Sequence, residues 1–410
     1  MNRPACILAA SLALASGCAG LPELAAMLER GDADAQAFAT VRLGSMGQKA
    51  VPNLLILMGE EDPGVRARAC VVFGRMGAKG HEAIPALIRS LGDEVPSVGR
   101  SAAWALSKIG QLAVEPLTAK CKDEDPTVRA LAIWALAEIY PQPREAVELF
   151  AAALRADDVR VRKAAADGLA KLGGRARDAV GVLIDVTDDP DIEVRSSAIA
   201  ALGYVGVEAR EAVPALASAL QRETPALKIL VVRALRTMGG KARVAVGSIA
   251  PLLNDKTDPA LRREAMLALA DIGTVPKGYL PAFLEALEDY DVTLGGASGS
   301  SGIAGRVMSR AGRQLFTPLV ELSHASEEID RRRAVWAMGY APTTSRYVSV
   351  LTRFLEDESP VIRAVAARSL GEHGRAASSA TFSLMRLLGD DNPAVRSSAA
   401  AAIRKVDPSM

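Results

Sequence analysis

Histidine occurs three times in 410 residues, cysteine four times, and aromatic rings make up only 4% of the chain. With no Cys-x-x-C pair and no metal-type spacing, so few thiols and imidazoles leave little from which to build a metal centre. Charge of one sign is missing too. Forty-nine basic and 48 acidic residues leave a formal net charge of +1, which removes the electrostatic footprint expected of a nucleic-acid binder. No repeat-free segment is long enough for a second domain. What is abundant is apolar residues, 50% of the chain, mostly alanine, leucine and valine.

The first twenty residues read as an export signal. Arg3 supplies a minimal positive region and Ala5 to Ala15 an apolar core, too short for the roughly 20 residues of a membrane-spanning helix. Leu14-Ala15-Ser16-Gly17-Cys18 then looks like a bacterial lipobox, in which Cys18 is lipidated and becomes the first mature residue. The alternative is that residues 5–17 form the first helix of the array described next. Cys6 would be removed with the signal. Cys70 and Cys121 occupy apolar helix positions of neighbouring repeats and are expected to be buried free thiols rather than a disulfide.

A pattern like Asp125-Pro126-Thr127-Val128-Arg129, followed by an Ala/Leu-rich helical stretch, recurs at intervals of about 33 residues. With the Val128 position as position 0, the copies start at Val65, Val98, Val128, Val161, Val194, Leu227, Leu261, Asp330, Ile362 and Val395. A weaker copy lies near Ala35. A unit recurring at fixed period predicts a solenoid, in which each unit buries its apolar face by stacking on its neighbours.

Position −3 holds Asp62, Asp125, Asp158, Asp191, Thr224, Asp258, Ser359 and Asn392, all side chains that cap helix N-termini. Position −2 is often proline, as in Pro63, Pro96 and Pro360, which suits the first helical residue. Position 12 is usually glycine (Gly77, Gly110, Gly173, Gly206, Gly239, Gly273, Gly374), which predicts a helix end in the left-handed region. Between them, positions 0, 4, 5, 7, 8 and 11 form one apolar face at helical period. The small residue at position 4, usually alanine, permits close helix–helix approach. A second helix begins near position 20, as in Ala83-Ile84-Pro85-Ala86-Leu87-Ile88. Two antiparallel helices per repeat predict an all-α, right-handed α-solenoid of about eleven hairpins over 18–410. An irregular Gly/Ser-rich segment interrupts it at 288–313.

In its combined Asp-Pro-x-Val-Arg, Ala, Leu and Gly positions the chain resembles the HEAT-repeat family, in the short bacterial form called PBS-lyase HEAT-like repeats. The resemblance implies a scaffold for protein partners. A minority of such proteins act on phycobilin chromophores, hydroxylate a modified lysine or bind damaged DNA. It also implies that the arginines at position 1 (Arg66, Arg129, Arg162, Arg195, Arg262, Arg363, Arg396) form a ladder with the capping aspartates of adjacent repeats. The di-iron hydroxylases of this superfamily need several His-Glu pairs, and only His81-Glu82 matches. His373, at apolar position 11, reads as a core side chain.

Three candidate surfaces remain. Trp104, Trp134 and Trp336 all occupy position 6, opposite the apolar face. They should either point outward as a partner-binding patch or lie flat over a neighbouring helix. The second helices should line the concave side, exposing Arg89, Ala119, Ala152, Asp185, Ser218, Pro251, Glu285, Glu321, Arg353 and Arg386. Such a smooth groove with polar margins suits an extended peptide or helix. Arg306, Arg310 and Arg313, with Arg331, Arg332 and Arg333, could gather into an anion patch. Leu294 to Gly302 lacks the Gly-Lys-Ser/Thr of a phosphate loop and reads as a hinge.

The sequence therefore predicts a non-catalytic, protein-binding scaffold without cofactor, metal or nucleic-acid partner. Its expected place is the bacterial envelope, lipid-anchored on the periplasmic or outer-membrane face. The alternatives are a phycobilin lyase-like or other cofactor-attachment accessory protein, or a cytoplasmic HEAT-repeat regulator.

Overall fold

A computed structural model describes residues 20–143, 145–293, 303–342 and 344–409. All regular structure among them is helical, in two compact units, Met1–Val205 and Gly206–Met410. In the first unit the opening helices of successive repeats are Ala33–Met46, Pro63–Met76, Pro96–Ile109, Pro126–Glu138, Val159–Leu172 and Ile192–Val205. In the second they include Pro225–Thr237, Pro259–Ile272, Glu328–Tyr340, Pro360–Glu372 and Pro393–Val406. Within each unit consecutive ones pack together, except that Pro259–Ile272 and Glu328–Tyr340 are joined through helix Ile303–Leu322.

The capping chemistry holds at most starts. Asp62 accepts the backbone N–H of Gly64 at 2.6 Å, Asp125 that of Thr127 at 2.7 Å and Asp158 that of Arg160 at 2.8 Å. In the second unit Asp258 accepts from Ala260 and Leu261, and Asn392 from Ala394. Thr224 and Ser359 make no such bond. At those two starts the proline that follows supplies the helical φ without a side-chain cap.

Every position-12 glycine has positive φ, from 53° at Gly239 to 83° at Gly110, and Gly47 of the weak first copy joins them. The region differs from the expected one. Gly77 stands at φ 56°, ψ −137° and Gly173 at φ 54°, ψ −132°, an extended mirror-image conformation that side-chain-bearing residues scarcely reach. Gly273, at φ 76°, ψ 28°, does enter the left-handed helical well. The extended exit sends the chain through a short 3-10 turn into a second helix of about two turns, such as Ile84–Ser90 or Val180–Val186.

Small residues set the spacing. Ala69, Ala102, Ala132, Ala165 and Ala198 at position 4 are wholly buried, as are Leu106, Leu169 and Leu202 at position 8. Burying each leucine contributes roughly 1.5–3 kcal/mol. A Cβ on Gly74 would stand 3.1 Å from the Ala105 Cα, so the backbones of adjacent first helices nearly touch there.

The arginine ladder exists, but its partner is not the capping aspartate. Arg66 donates through Nε and Nη2 to both carboxylate oxygens of Asp93, at 2.9 Å each. Arg162 grips Asp189 at 2.7 and 3.1 Å, and Arg363 grips Asp390 at 2.8 and 3.0 Å. Each carboxylate lies 27 residues on, at position −5 of the following repeat, two residues before the cap. The remaining nitrogen, Nη1, donates to two carbonyls of the turn before its own helix, Glu60 and Glu61 in the case of Arg66. Asp93 completes the turn by accepting the N–H of Val95 at 2.9 Å. The hydrogen bond from Arg66 holds the Asp93 carboxyl below the usual carboxylate range, against the opposing effect of burial. At these three junctions one repeat is thus pinned to the next by a two-pronged ionic clamp.

The interruption is shorter than 288–313. Helix Leu280–Thr293 covers its first six residues and helix Ile303–Leu322 its last eleven; the span between, 294–302, lies outside the described residues. Helix Ile303–Leu322 packs against both Pro259–Ile272 and Glu328–Tyr340, where a first helix belongs. It runs on through Pro318, whose counterparts Pro85 and Pro214 open separate second helices. With Arg310 where the other repeats place their helix-ending glycine, this repeat fuses its two helices, and so its period is invisible in the sequence.

His373 is a core side chain, 7% exposed, with Nε2 3.1 Å from the Met338 carbonyl. Burial pushes its pKa down, although that carbonyl and Glu372 oppose the shift. The folded imidazole is neutral where the unfolded one takes up a proton, so stability falls as the pH drops below the ordinary histidine value of about 6.5 and is unaffected above it. Urea unfolding at pH 7.5 and 5.5 should show a loss at the lower pH that shrinks in His373→Gln. An unchanged loss in that variant would assign the effect to other groups.

Candidate protein-interaction surfaces

The tryptophans fall between the two expectations, each half-buried. Trp104 lies over the preceding repeat, in the space a Cβ on Gly74 would need, with Lys108 Nζ 5.9 Å from its ring centroid. Trp134 is flanked by Lys171 Nζ at 5.8 Å, and that lysine also pairs with Glu138. Trp336 leans on Tyr340, ring centroids 5.1 Å apart. Each ring is thus partly engaged within the fold and partly exposed.

On the second helices the expected register holds. Arg89, Ala119, Ala152, Asp185, Ser218, Pro251, Glu321, Arg353 and Arg386 are all exposed. Glu285 is the exception. It is half-buried, 3.5 Å from both Lys256 and Arg262 and 4.0 Å from Arg333, and helps to hold a buried arginine. Glu321 pairs with Lys277, and Arg386 with Glu356 at 3.0 Å.

Four of the six arginines expected to form an anion patch make contacts within the fold. Arg332 holds Glu288 at 2.7 and 2.9 Å, and Arg333 reaches the same carboxylate at 3.1 Å. Arg331 donates to the Ala325 and Ser326 carbonyls. Arg310 pairs with Asp271 at 2.5 Å, beside Arg236, in a cluster that also contains Arg233 and Glu264. Arg306 is exposed; the side chain of Arg313 lies outside the described residues, as does Cys18.

Cys70 and Cys121 are free, buried thiols. Burial pushes both up to about 12, far from the thiolate that nucleophilic or redox chemistry requires. Among the described residues no three of His, Cys, Asp and Glu gather to hold a metal, and no helix is long and apolar enough to cross a membrane.

Two surfaces were not anticipated. Phe382, Met385 and Leu388, three residues apart, are exposed along the second helix and exit turn of the Ile362 repeat, Phe382 by 75%. Their spacing was the available signal. A notch on the first-helix side of the last repeats is lined by Trp336, Tyr340, Arg368, Glu372, Ala401 and Lys405, among others. Its signal was the change at position 6 from Trp336 through Arg368 to Ala401.

The HEAT-repeat family profile matches residues 51–119, 114–202, 180–246 and 316–404. No curated protein matches the chain. Among solved structures, the karyopherin Kap121p bound to the extreme C-terminus of the protein phosphatase Cdc14p is 14% identical, with a TM-score of 0.54 over 94% of this chain and 49% of its own. Importin beta in an ammonium sulfate condition is 15% identical, with a TM-score of 0.50 over 94% of this chain and 55% of its own. The chain spans about half the length of these karyopherins, and at such identities the likeness is one of fold. With four matched segments that together cover well over half its length, the chain belongs to the HEAT-repeat family.

Proposed function

We propose that this protein is a non-catalytic scaffold that binds a protein partner along its exposed helical faces and is held at a bacterial membrane by a lipid on Cys18. The observation that carries the reading is a division of labour within each repeat. Alanines, leucines, glycines and clamp arginines are consumed by stacking, while the outward second-helix positions from Arg89 to Arg386, Glu285 excepted, stay exposed and differ from repeat to repeat. A surface that is periodic in backbone and aperiodic in chemistry suits recognition of an extended segment. The Kap121p structure, whose partner is the extreme C-terminus of a phosphatase, offers a parallel for that mode. The lipid anchor rests on the Leu14–Cys18 pattern alone.

The test joins both parts. A photo-crosslinking residue placed at Arg353 in the full-length chain, expressed in a bacterial host of origin, should capture a discrete protein. The same group at exposed Arg42, on the opening helix of the weak first copy, should not. Membrane fractionation of the wild type and Cys18→Ala should move the protein from the membrane to the soluble fraction. Equal capture at both positions removes the scaffold reading, and identical fractionation removes the anchor.

A further inference from the structure

We infer that the notch between helices Pro360–Glu372 and Pro393–Val406 is a receptor for an aromatic side chain, presented by a protein segment that carries an adjacent carboxylate. This rests on the scaffold reading and gives it a site and a partner chemistry.

The argument comes from two equivalent junctions, one in each unit. In the first, Gly74 at position 9 faces the next repeat so closely that a Cβ would lie 3.1 Å from the Ala105 Cα, at position 7. In the second, Gly371 at position 9 would place a Cβ 3.1 Å from the Ala402 Cα, again at position 7. The backbones approach alike. The difference is position 6. Trp104 fills the first junction, its ring over Gly74 and Lys108 of position 10 beside it at 5.9 Å. In the second, position 6 is Ala401 and the ring is missing, although Lys405 still stands at position 10. What remains is a cavity of about 280 Å³, below the roughly 300–1,000 Å³ of small-molecule clefts and sized for a side chain or two.

The walls favour the same occupant. Trp336 and Tyr340 line it with aromatic surface, Gly371, Ala401 and Ala402 with small residues, and Lys405 with a cation. Lys405 is shared with Glu372 at 2.7 Å. Arg368, at position 6 of its own helix, is exposed and makes no ion pair among the described residues. An entering ring would stack against aromatic surface beside a cation, and a neighbouring carboxylate would meet the Arg368 guanidinium, which favours planar, two-pronged acceptors.

The test uses the full chain and fluorescein-labelled twelve-residue peptides centred on Asp-Trp-Glu, Asp-Ala-Glu or Lys-Trp-Lys, read by anisotropy. The Asp-Trp-Glu peptide should bind about tenfold more tightly than either control. Ala401→Trp, which supplies the missing ring from within, and Arg368→Glu, a surface change, should each weaken it about tenfold, with helical content unchanged by circular dichroism. Equal affinity for all three peptides, or wild-type binding by both variants, overturns the inference. Capture at Arg353 that persists alongside either of those results leaves the scaffold reading standing; peptide discrimination with no protein captured removes that reading and keeps the notch.

Discussion

Asp189→Ala should cost the first unit about 3–5 kcal/mol, the effect of leaving one partner of a buried ion pair behind. Arg162 and Asp189 are well shielded, with 14% and 6% of their side chains exposed, and their hydrogen bonds are 2.7 and 3.1 Å long. The same carboxylate accepts the N–H of Asp191, which opens the next helix. Alanine therefore strands a guanidinium whose Nη1 alone keeps its carbonyl partners, Ala156 and Asp157. The double change Arg162→Met with Asp189→Leu should recover most of the loss, because it removes both charges and keeps the volume. Urea unfolding, with amide exchange followed in Val159–Leu172, measures both. A single variant within 1 kcal/mol of wild type would demote the clamp to an ornament of the turn. Burial opposes the ionised form of Asp189, yet the Arg162 bonds and the Asp191 N–H hold its pKa below the ordinary carboxylate value. The clamp's contribution is therefore present at neutral pH and lost as the pH falls through that lowered value.

The second large effect concerns a single oversized side chain. Phe150 is wholly buried on helix Ala146–Ala153, where other repeats place Leu87, Leu183, Leu216 or Leu384. The next repeat accommodates it with Gly168 at position 7, a site of alanine in most copies. A Cβ on Gly168 would fall 2.8 Å from the Phe150 ring. Phe150→Ala should lose about 3–5 kcal/mol by emptying that space. Gly168→Ala alone should lose about 1–3 kcal/mol by overfilling it. Phe150→Leu combined with Gly168→Ala restores the pairing found elsewhere in the array and should sit well above the sum of the single losses. Strict additivity would mean that the two positions do not read each other.

These two sites show what was legible in the sequence. Caps, helix-ending glycines and the exposed second-helix register are local chemistry at fixed offsets, so periodicity exposes them. The clamp was placed on the wrong aspartate because positions −5 and −3 share one turn and repeat together; only the reach of the arginine separates them. Glu288 neutralises Arg332 across 44 residues that include the irregular span, a contact no local period could announce. The Trp104 ring is half-covered because of what stands at Gly74, one repeat earlier. Residue type and offset fix a side chain's direction, but its exposure depends on the size of a neighbour 30 positions away.

The clamp also decides how the first unit would bear tension. Each one spans a single junction, so force passes from repeat to repeat through discrete links rather than through a shared core. Arg129 has alanine, Ala156, at the offset where Arg66 and Arg162 find their carboxylates, and it holds only the Asp123 and Glu124 carbonyls. The preceding repeat has Gly99 in place of the arginine, so two consecutive junctions lack the latch, and a stretched array would yield there first while the Arg66–Asp93 and Arg162–Asp189 junctions held.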